Sequence, residues 1–361
     1  MESKSTSRRH AMDGLILAID LGKFNSLCCW YDTVTKSATF RQAKTTWVDL
    51  GRDLTRQRVA GVIIEAGSPA GWVYDLCAEL GVPCWVANTA GPAWQWKNLK
   101  RKTDRDDALK LARLAAIDEL PTIRVPPRPV RQWKSLIGLR KRLVGERGRG
   151  QNRIRGLLVG QGLPAPKGNK AWTQLGLDGL SQLARPLSAC SATELWRGEL
   201  SALIARHRFL DGQLREVEAA LDALAQSSPA VQLLTTVPGV GVRTAEVIAT
   251  HLHEGRRFRN ADEVSAYAGL VPRQYQSGVC DRRGCITKRG PKLLRAALVE
   301  CAWCSLRYNR WALATWQRLV ANGLSKKKAI VALARKLLIH CWGILKSGRP
   351  WRNPLAATAV G

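Results

Sequence analysis

Four carboxylates stand out in a chain that is otherwise heavily basic: Asp20, Glu65, Asp104 and Asp107. Asp20 closes the apolar run Leu15-Ile16-Leu17-Ala18-Ile19, and Glu65 closes a second run, Val62-Ile63-Ile64. Asp104 and Asp107 stand three apart at the head of a helical stretch, Lys102-Thr103-Asp104-Arg105-Asp106-Asp107-Ala108, so they share one helix face. Carboxylates are the hard oxygen ligands that Mg2+ prefers. Two such ions about 4 Å apart stabilise both the attacking and the leaving oxygen of a phosphodiester exchange. Each acid alone reads as a cap or turn residue, Asp104 as a helix N-cap for instance. The four in this order, at two strand ends and one helix start, read instead as a cation site. Asp106, between the helical pair, points elsewhere and reads as solvated or salt-bridged.

The rest of the chain suits a polyanion. Its 361 residues carry 57 Lys and Arg against 28 Asp and Glu, a formal net charge of +29. Nucleic acid is the partner this balance favours over a generic basic protein. At 45 % hydrophobic, the chain has the length and composition for two or three packed domains. No run of eighteen apolar residues marks a membrane span. The start, Met1 to His10, lacks the apolar stretch of a signal peptide. Ten cysteines are scattered without a framework, and Cys28, Cys29, Cys77 and Cys84 lie in apolar runs, which predicts reduced cytoplasmic thiols. Cys280, Cys285, Cys301 and Cys304 could be written as a zinc site. The first spacing is unusual and the last pair lies in an apolar helical run, so buried free thiols are the reading preferred.

The elements that must position the acids follow from hydrophobic period. Strand patterns occur at 14–20, 26–31, 37–41, 59–65 and 82–87, and helix patterns at 46–57, 70–80 and 103–118. Three strands in meander order followed by alternating helices and strands predict a mixed α/β sheet. Pro121 and Pro126-Pro127-Arg128-Pro129 end this unit. Residues 121–170 hold thirteen Lys and Arg against one acid, Glu146. There Ile154, Leu157 and Leu158 lie on a helical pattern bearing Arg147, Arg149, Arg153 and Arg155, which predicts a basic helix facing a phosphate backbone.

After a Pro/Gly-rich break at 162–169, a helix is expected over 192–226. Its apolar positions, Trp196, Leu200, Leu203, His207, Leu210, Leu214, Val217, Leu221 and Leu224, alternate spacings of four and three. That is a heptad seam broken only by His207, a polar residue suited to fixing register. A coiled-coil arm is expected, pairing with 131–158 of the same chain or with another protomer. Residues 227 to about 350 read as a second helical unit. Within it, Val237-Pro238-Gly239-Val240-Gly241 before an alanine-containing helix resembles a helix-hairpin-helix, with Gly239 and Gly241 letting the backbone approach a phosphate.

The placing of Asp20, Glu65 and Lys102-Thr103-Asp104-x-x-Asp107-Ala108 resembles the RuvC-like Asp-Glu-Asp-Asp domain of one insertion-sequence transposase family, IS-one-ten (IS110), with its IS-eleven-eleven (IS1111) branch. That family includes the bridge-RNA-guided recombinases. A second stretch is similar to its C-terminal transposase domain: Gly269-Leu270-Val271-Pro272-Arg273-Gln274-Tyr275-Gln276-Ser277-Gly278, then Gly284-Cys285-Ile286-Thr287-Lys288-Arg289-Gly290 and Leu293-Leu294-Arg295. In the family a serine before glycine there is the nucleophile, often as the second of two serines and often before Gly-Gly. Here Gln276 precedes Ser277, and Val279 and Cys280 follow Gly278. These departures touch the loop's fine geometry.

The resemblance implies an α/β RNase H-like (RuvC-like) N-terminal domain over 1–125. It implies a basic linker and coiled-coil arm over 126–226 and a mainly α C-terminal serine domain with the helix-hairpin-helix over 227–361. It implies that Asp20, Glu65, Asp104 and Asp107 hold Mg2+, two ions per site with Mn2+ as a substitute. Ser277 would attack the DNA backbone, with Lys288, Arg289 and Arg295 clamping phosphate oxygens. A phosphoserine link conserves bond energy, so a strand can be rejoined without ATP. The implied partners are double-stranded DNA (element ends or a circular donor, and a target), a non-coding guide RNA, and further copies of the chain as a dimer or tetramer. The implied setting is a bacterial or archaeal cytoplasm, on the nucleoid. A plain junction nuclease using water, with Ser277 structural, is the first alternative. A non-catalytic nucleic-acid-binding protein is the second.

Overall fold

A computed structural model describes residues 13–88, 94, 103–277 and 280–354, with the backbone alone for 274–277 and 280–283. The chain divides into two compact units, Met1–Arg128 and Pro129–Gly361.

The first unit is a six-stranded mixed sheet with helices on both faces. Its elements are β1 (Leu15–Asp20), β2 (Asn25–Asp32), β3 (Ala38–Lys44), α1 (Trp47–Thr55), β4 (Gly61–Glu65), α2 (Ala70–Glu79), β5 (Cys84–Ala87), α3 (Asp104–Ala116) and β6 (Thr122–Ile123). The strand order is β3-β2-β1-β4-β5-β6. β1 pairs antiparallel with β2 and parallel with β4, and β4 pairs parallel with β5.

The central strand β1 is apolar up to its terminal Asp20 because both of its faces are covered, and alternate residues enter different cores. Leu17 and Ile19 pack with Leu50 and Leu54 of α1 and with Val73 and Leu76 of α2. Ile16 and Ala18 pack with Ala108, Leu111, Ala112 and Ala115 of α3. On β4 the same alternation sends Val62 and Ile64 to the α1–α2 side and Ile63 to the α3 side. The edge strand β3 runs to Lys44, three residues past the expected end, because Arg41 to Lys44 continue the ladder opposite Asn25 to Cys28. Pairing with β2 outweighs the weak strand preference of Gln and Lys.

The second unit is mainly helical. Two long helices, α4 (Arg128–Gly160) and α6 (Leu195–Gln226), are joined through a segment containing the short helix α5 (Gln174–Ser181). Then follow α7 (Pro229–Thr235), α8 (Val242–Leu252), α9 (Ala261–Tyr267), the hairpin β7 (Pro272–Ser277) and β8 (Cys280–Ile286), α10 (Lys292–Tyr308), α11 (Arg310–Ala321) and α12 (Lys326–Ser347). The proline run at 126–129 leads straight into α4, because a proline in a first helical turn loses no intrahelical hydrogen bond.

Side chains cross-link α4 and α6 in antiparallel register: Arg140 to Glu218, Arg147 to Asp211, Gln151 to His207 and Arg153 to Glu199. The partner of α4 is therefore α6 of the same chain. Two apolar zones flank a polar belt along this pair. At one end Ile154 and Leu158 meet Leu200 and Ile204. At the other, Ile137 and Leu143 join Leu210, Leu214 and Leu221 in the core that α8, α10 and α12 also fill. His207 and Gln151 lie in the belt between.

The seam of α6 differs at both ends from strict heptad spacing. Ile204 is buried and Leu203 only partly so, and Ala225 is buried while Leu224 is 38 % exposed. At about 3.6 residues per turn an apolar face drifts from a 3.5-residue repeat, so toward the C-terminus the buried position moves on from Leu224 to Ala225.

Candidate functional site

Asp20 is the last residue of β1 and Glu65 the last of the parallel neighbour β4. The register pairs Ile19 with Ile64, so these acids stand one step beyond a matched pair at the same end of the sheet. Strand alternation puts Asp20 on the face of Ile16 and Ala18, and Glu65 on the face of Ile63. That is the face α3 covers. The apolar stripe of α3 is Ala108, Leu111, Ala112 and Ala115. Asp104 and Asp107 continue it by one turn toward the helix start, at i−4 from Ala108 and Leu111. All four sequence-predicted acids thus belong to one face and one end of one sheet.

Asp20 and Asp104 line a common cleft of about 480 Å³ with Asn25, Arg41 and Arg105. Glu65 and Asp107 lie outside its lining. Among the described residues, no three or more His, Cys, Asp or Glu side chains stand close enough together to hold a metal ion as they are placed. The donor set fits a hard divalent cation in chemistry and in the shared face. Its side chains are not drawn into one coordination sphere.

The turn after Asp20 depends on Gly22, where any Cβ would overlap the carbonyl oxygen of Asn25. The start of α3 is fixed by a capping box. Thr103 Oγ1 accepts from the Asp106 amide at 3.3 Å, and the Asp106 carboxylate accepts from the Thr103 amide at 3.1 Å and from its hydroxyl at 2.6 Å. Thr103, not Asp104, is therefore the N-cap, and Asp106 is committed to the cap rather than simply solvated. Asp104 is left as the first helical residue, beside the positive end of the helix dipole.

Sequence reading missed the cleft's cations. Arg41 donates at 2.7 Å to Asp53 of α1, a carboxylate only 1 % exposed, which also accepts from the Cys28 thiol at 3.9 Å. Burial pushes the Asp53 carboxyl up while Arg41 draws it down, and burial with the nearby Asp53 lifts the Cys28 thiol to about 12. Arg105 lies 5.6 Å from the Phe40 ring centre. No local signal marks Arg41, since its role depends on the register Cys28 to Arg41 across β2 and β3.

In the second unit Ser277 ends β7 and pairs with Cys280 across the hairpin, while Gly278 and Val279 lie outside the described residues. Two glycines seat this hairpin. A Cβ on Gly269 (φ +67°) would overlap Arg289 backbone, and one on Gly290 (φ +99°) would overlap the Tyr267 carbonyl. Arg295 donates from one nitrogen to the carbonyls of Ala268 at 3.0 Å and Gly290 at 3.2 Å, so it ties the hairpin's base together. Lys288 and Arg289 are exposed.

Gly239 (φ +94°) packs against Ser305 of α10, whose Cα and Oγ leave no room for a Cβ. The adjoining carbonyls accept from Cys301 and Asn309. Packing thus accounts for Gly239, whereas Gly241, the N-cap of α8, faces open space.

The four arginines grouped by sequence do not share a face, because 100° per residue separates them. Arg147 binds Asp211 and Arg155 donates to the Pro166 carbonyl, both at the α4–α6 seam, whereas Arg153 binds Glu199 and Arg149 is exposed. Cys301 is a buried thiol raised to about 11, chiefly by burial, and Cys304 is exposed.

Comparison with known proteins agrees with the sequence resemblance. Residues 17–161 match a family profile described as a transposase, of the IS110 DEDD type, and residues 231–317 match the profile "Transposase IS116/IS110/IS902 family". A putative transposase, y4rJ, of Sinorhizobium fredii is 33 % identical over 80 % of this chain and 77 % of its own length. The transposase for insertion sequence element IS1111A of Coxiella burnetii is 27 % identical over 96 % of this chain and 93 % of its own. A pilin gene-inverting protein of Moraxella bovis is 34 % identical over 33 % of this chain and 38 % of its own.

Proposed function

The chain belongs to the IS116/IS110/IS902 family of transposases, enzymes of DNA transposition and recombination, and from that premise we propose how it cuts and rejoins DNA. The reaction is strand exchange that needs two groups of residues. Asp20, Glu65, Asp104 and Asp107 of an RNase H-like first unit supply one, and Ser277 of the second unit supplies the other. The observation that carries this reading is the convergence of all four acids on the α3 face at one end of the sheet, with Asp20 and Asp104 in one cleft.

A DEDD transposase domain implies use of a divalent metal, and an all-carboxylate donor set favours Mg2+. When bound, such ions supply charge stabilisation to the oxygens exchanged at phosphorus. The chain's own residues do the rest. Gly22 and the Thr103–Asp106 capping box hold two of the ligand-bearing backbones. Arg41, fixed by buried Asp53, and Arg105, against Phe40, present positive charge to a strand phosphate in the cleft. The Ser277 hydroxyl is the nucleophile. Its proton leaves as the serine oxygen bonds phosphorus, and the departing 3′ or 5′ oxygen of the cut strand takes a proton in turn. Attack by a strand hydroxyl on the phosphoserine reverses these steps and releases the serine.

The support for Ser277 is its place at the end of β7, beside the tip of a hairpin whose base is tied by Gly269, Gly290 and Arg295. The three-part division at 1–125, 126–226 and 227–361, the coiled-coil character of the α4–α6 pair, and the helix-hairpin-helix with Gly241 toward phosphate belong to the same proposal. So do Arg149, Lys288 and Arg289 as exposed phosphate contacts, the guide RNA, assembly as a dimer or tetramer, and a cytoplasmic, nucleoid-associated setting. Among the described residues, no helix is long and apolar enough to cross a membrane.

The test is a strand-exchange assay on DNA carrying the element ends. Ser277→Ala and Asp20→Asn should each abolish exchange. Cutting retained by Ser277→Ala would identify a water-using nuclease instead.

A further inference from the structure

The polar belt between α4 and α6 borders a second, open cleft of about 350 Å³, lined by Arg147, Gln151, Arg155, Asn169, Trp172, His207 and Asp211. It lies at the small end of ligand-cleft sizes. Nothing in the cation site or the serine hairpin uses it.

Its walls are rich in donors. His207 is 2 % exposed, and its Nδ1 has no hydrogen-bond partner among the described residues. Gln151 Nε2 stands 3.1 Å from His207 Nε2, and with the amide donating there the ring proton of a neutral imidazole sits on Nδ1. Burial favours that neutral form. The Trp172 Nε1–H is likewise buried without a partner, and its ring stacks on His207 at 5.4 Å and lies 5.0 Å from the Arg155 guanidinium. Arg155 uses two of its nitrogens, on the Pro166 carbonyl and Asn152 Oδ1, and Arg147 uses one, on Asp211. A guanidinium has five N–H groups, so donors remain on both. The single acid in the lining, Asp211, is already neutralised by Arg147.

A polar interruption between two apolar zones costs stability, so orphan donors there call for a ligand rich in acceptor oxygens. We propose that this cleft binds a phosphate group of a nucleic-acid strand, held by the His207 Nδ1–H and the spare guanidinium donors of Arg147 and Arg155. The strand as source rests on the nucleic-acid reading above, and free phosphate is the other source of the same chemistry.

The full-length protein is titrated with generic single-stranded and duplex DNA and RNA over a range of salt. Arg155→Gln should lower the slope of log K against log salt by roughly 0.7–0.9, the loss of one phosphate contact. His207→Leu, which restores an apolar seam, should keep or raise the melting temperature yet weaken strand binding about tenfold. Asn169→Asp, at an exposed position, should weaken binding without a change in melting. In parallel, inorganic phosphate is followed by 31P line broadening with wild-type protein and His207→Leu. Broadening lost in His207→Leu supports the site with free phosphate as ligand, and does so even if the wild type binds no strand, which would overturn the nucleic-acid reading alone. Unchanged strand affinity and salt slope in all three folded variants, together with no His207-dependent broadening, would overturn the proposal.

Discussion

Asp20 and Glu65 end adjacent parallel strands one step past the Ile19–Ile64 pair, and strand alternation turns both toward the face covered by α3. Replacing either with its amide keeps size and fold but removes a charged oxygen ligand. Asp20→Asn and Glu65→Gln should each lower DNA cleavage at least about a hundredfold, with melting temperature unchanged or raised. Isothermal titration of Mg2+ or Mn2+ into each variant checks the cause, since the heat of binding should fall with activity.

Asp106 and Asp107 are neighbours in sequence with separate tasks. Asp106 closes the capping box with Thr103, whereas Asp107 extends the sheet-facing stripe of α3. Thr103→Ala should cost about 1 kcal/mol of stability, and Asp106→Ala somewhat less. Asp106→Ala should retain most cleavage activity, while Asp107→Asn should lose it with little change in melting. Paired denaturation and cleavage measurements on the three variants separate the roles.

Gly239 and Gly241 carry the hairpin between α7 and α8, yet only Gly239 combines a positive φ with contact against Ser305. Gly239→Ala should destabilise by about 3 kcal/mol, from backbone strain and overpacking together. Gly241→Ala, facing open space, should stay within about 0.5 kcal/mol of wild type. Urea midpoints of the two variants read this difference directly.

Buried His251 makes the second unit acid-sensitive. Its Nδ1–H donates to the Val247 carbonyl at 2.7 Å, and burial, aided by the positive Lys134 and Arg257, pushes its pKa from 6.5 down to about 4. Between those values the unfolded chain binds a proton that the folded chain does not, so stability rises with pH across that window. The contribution is fully present above about 6.5 and is lost as pH falls to about 4, a difference of about 3 kcal/mol. His251→Gln should flatten this part of the stability profile in urea denaturation between those pH values.

The sheet was legible because period-two alternation and continuous apolar runs mark doubly covered strands, and the acids closing β1 and β4 were visible at their ends. The extension of β3 to Lys44 was not, since a polar edge strand is held by its neighbour's ladder rather than by its own residues. Nor were Arg41 and Asp53, which meet across twelve residues and two elements. The basic residues of α4 looked like one surface because sequence counts charge without rotation. In space Arg147 and Arg155 turn into the seam, Arg153 pairs with Glu199, and Arg149 stays outside. Helical spacing set Asp106 apart from Asp104 and Asp107, but its role in the cap was hidden, because that depends on the hydrogen bonds with Thr103.

The most direct measurement is of the DNA–protein bond itself. Wild-type protein, incubated with divalent metal and DNA carrying the element ends, is resolved under denaturing conditions and the linked peptide is mapped by mass spectrometry. A phosphoserine–nucleotide adduct on Ser277 is predicted, absent in Ser277→Ala and in Asp20→Asn. Cleaved DNA with no covalent adduct, formed equally well by Ser277→Ala, would contradict the serine nucleophile and leave a nuclease that uses water.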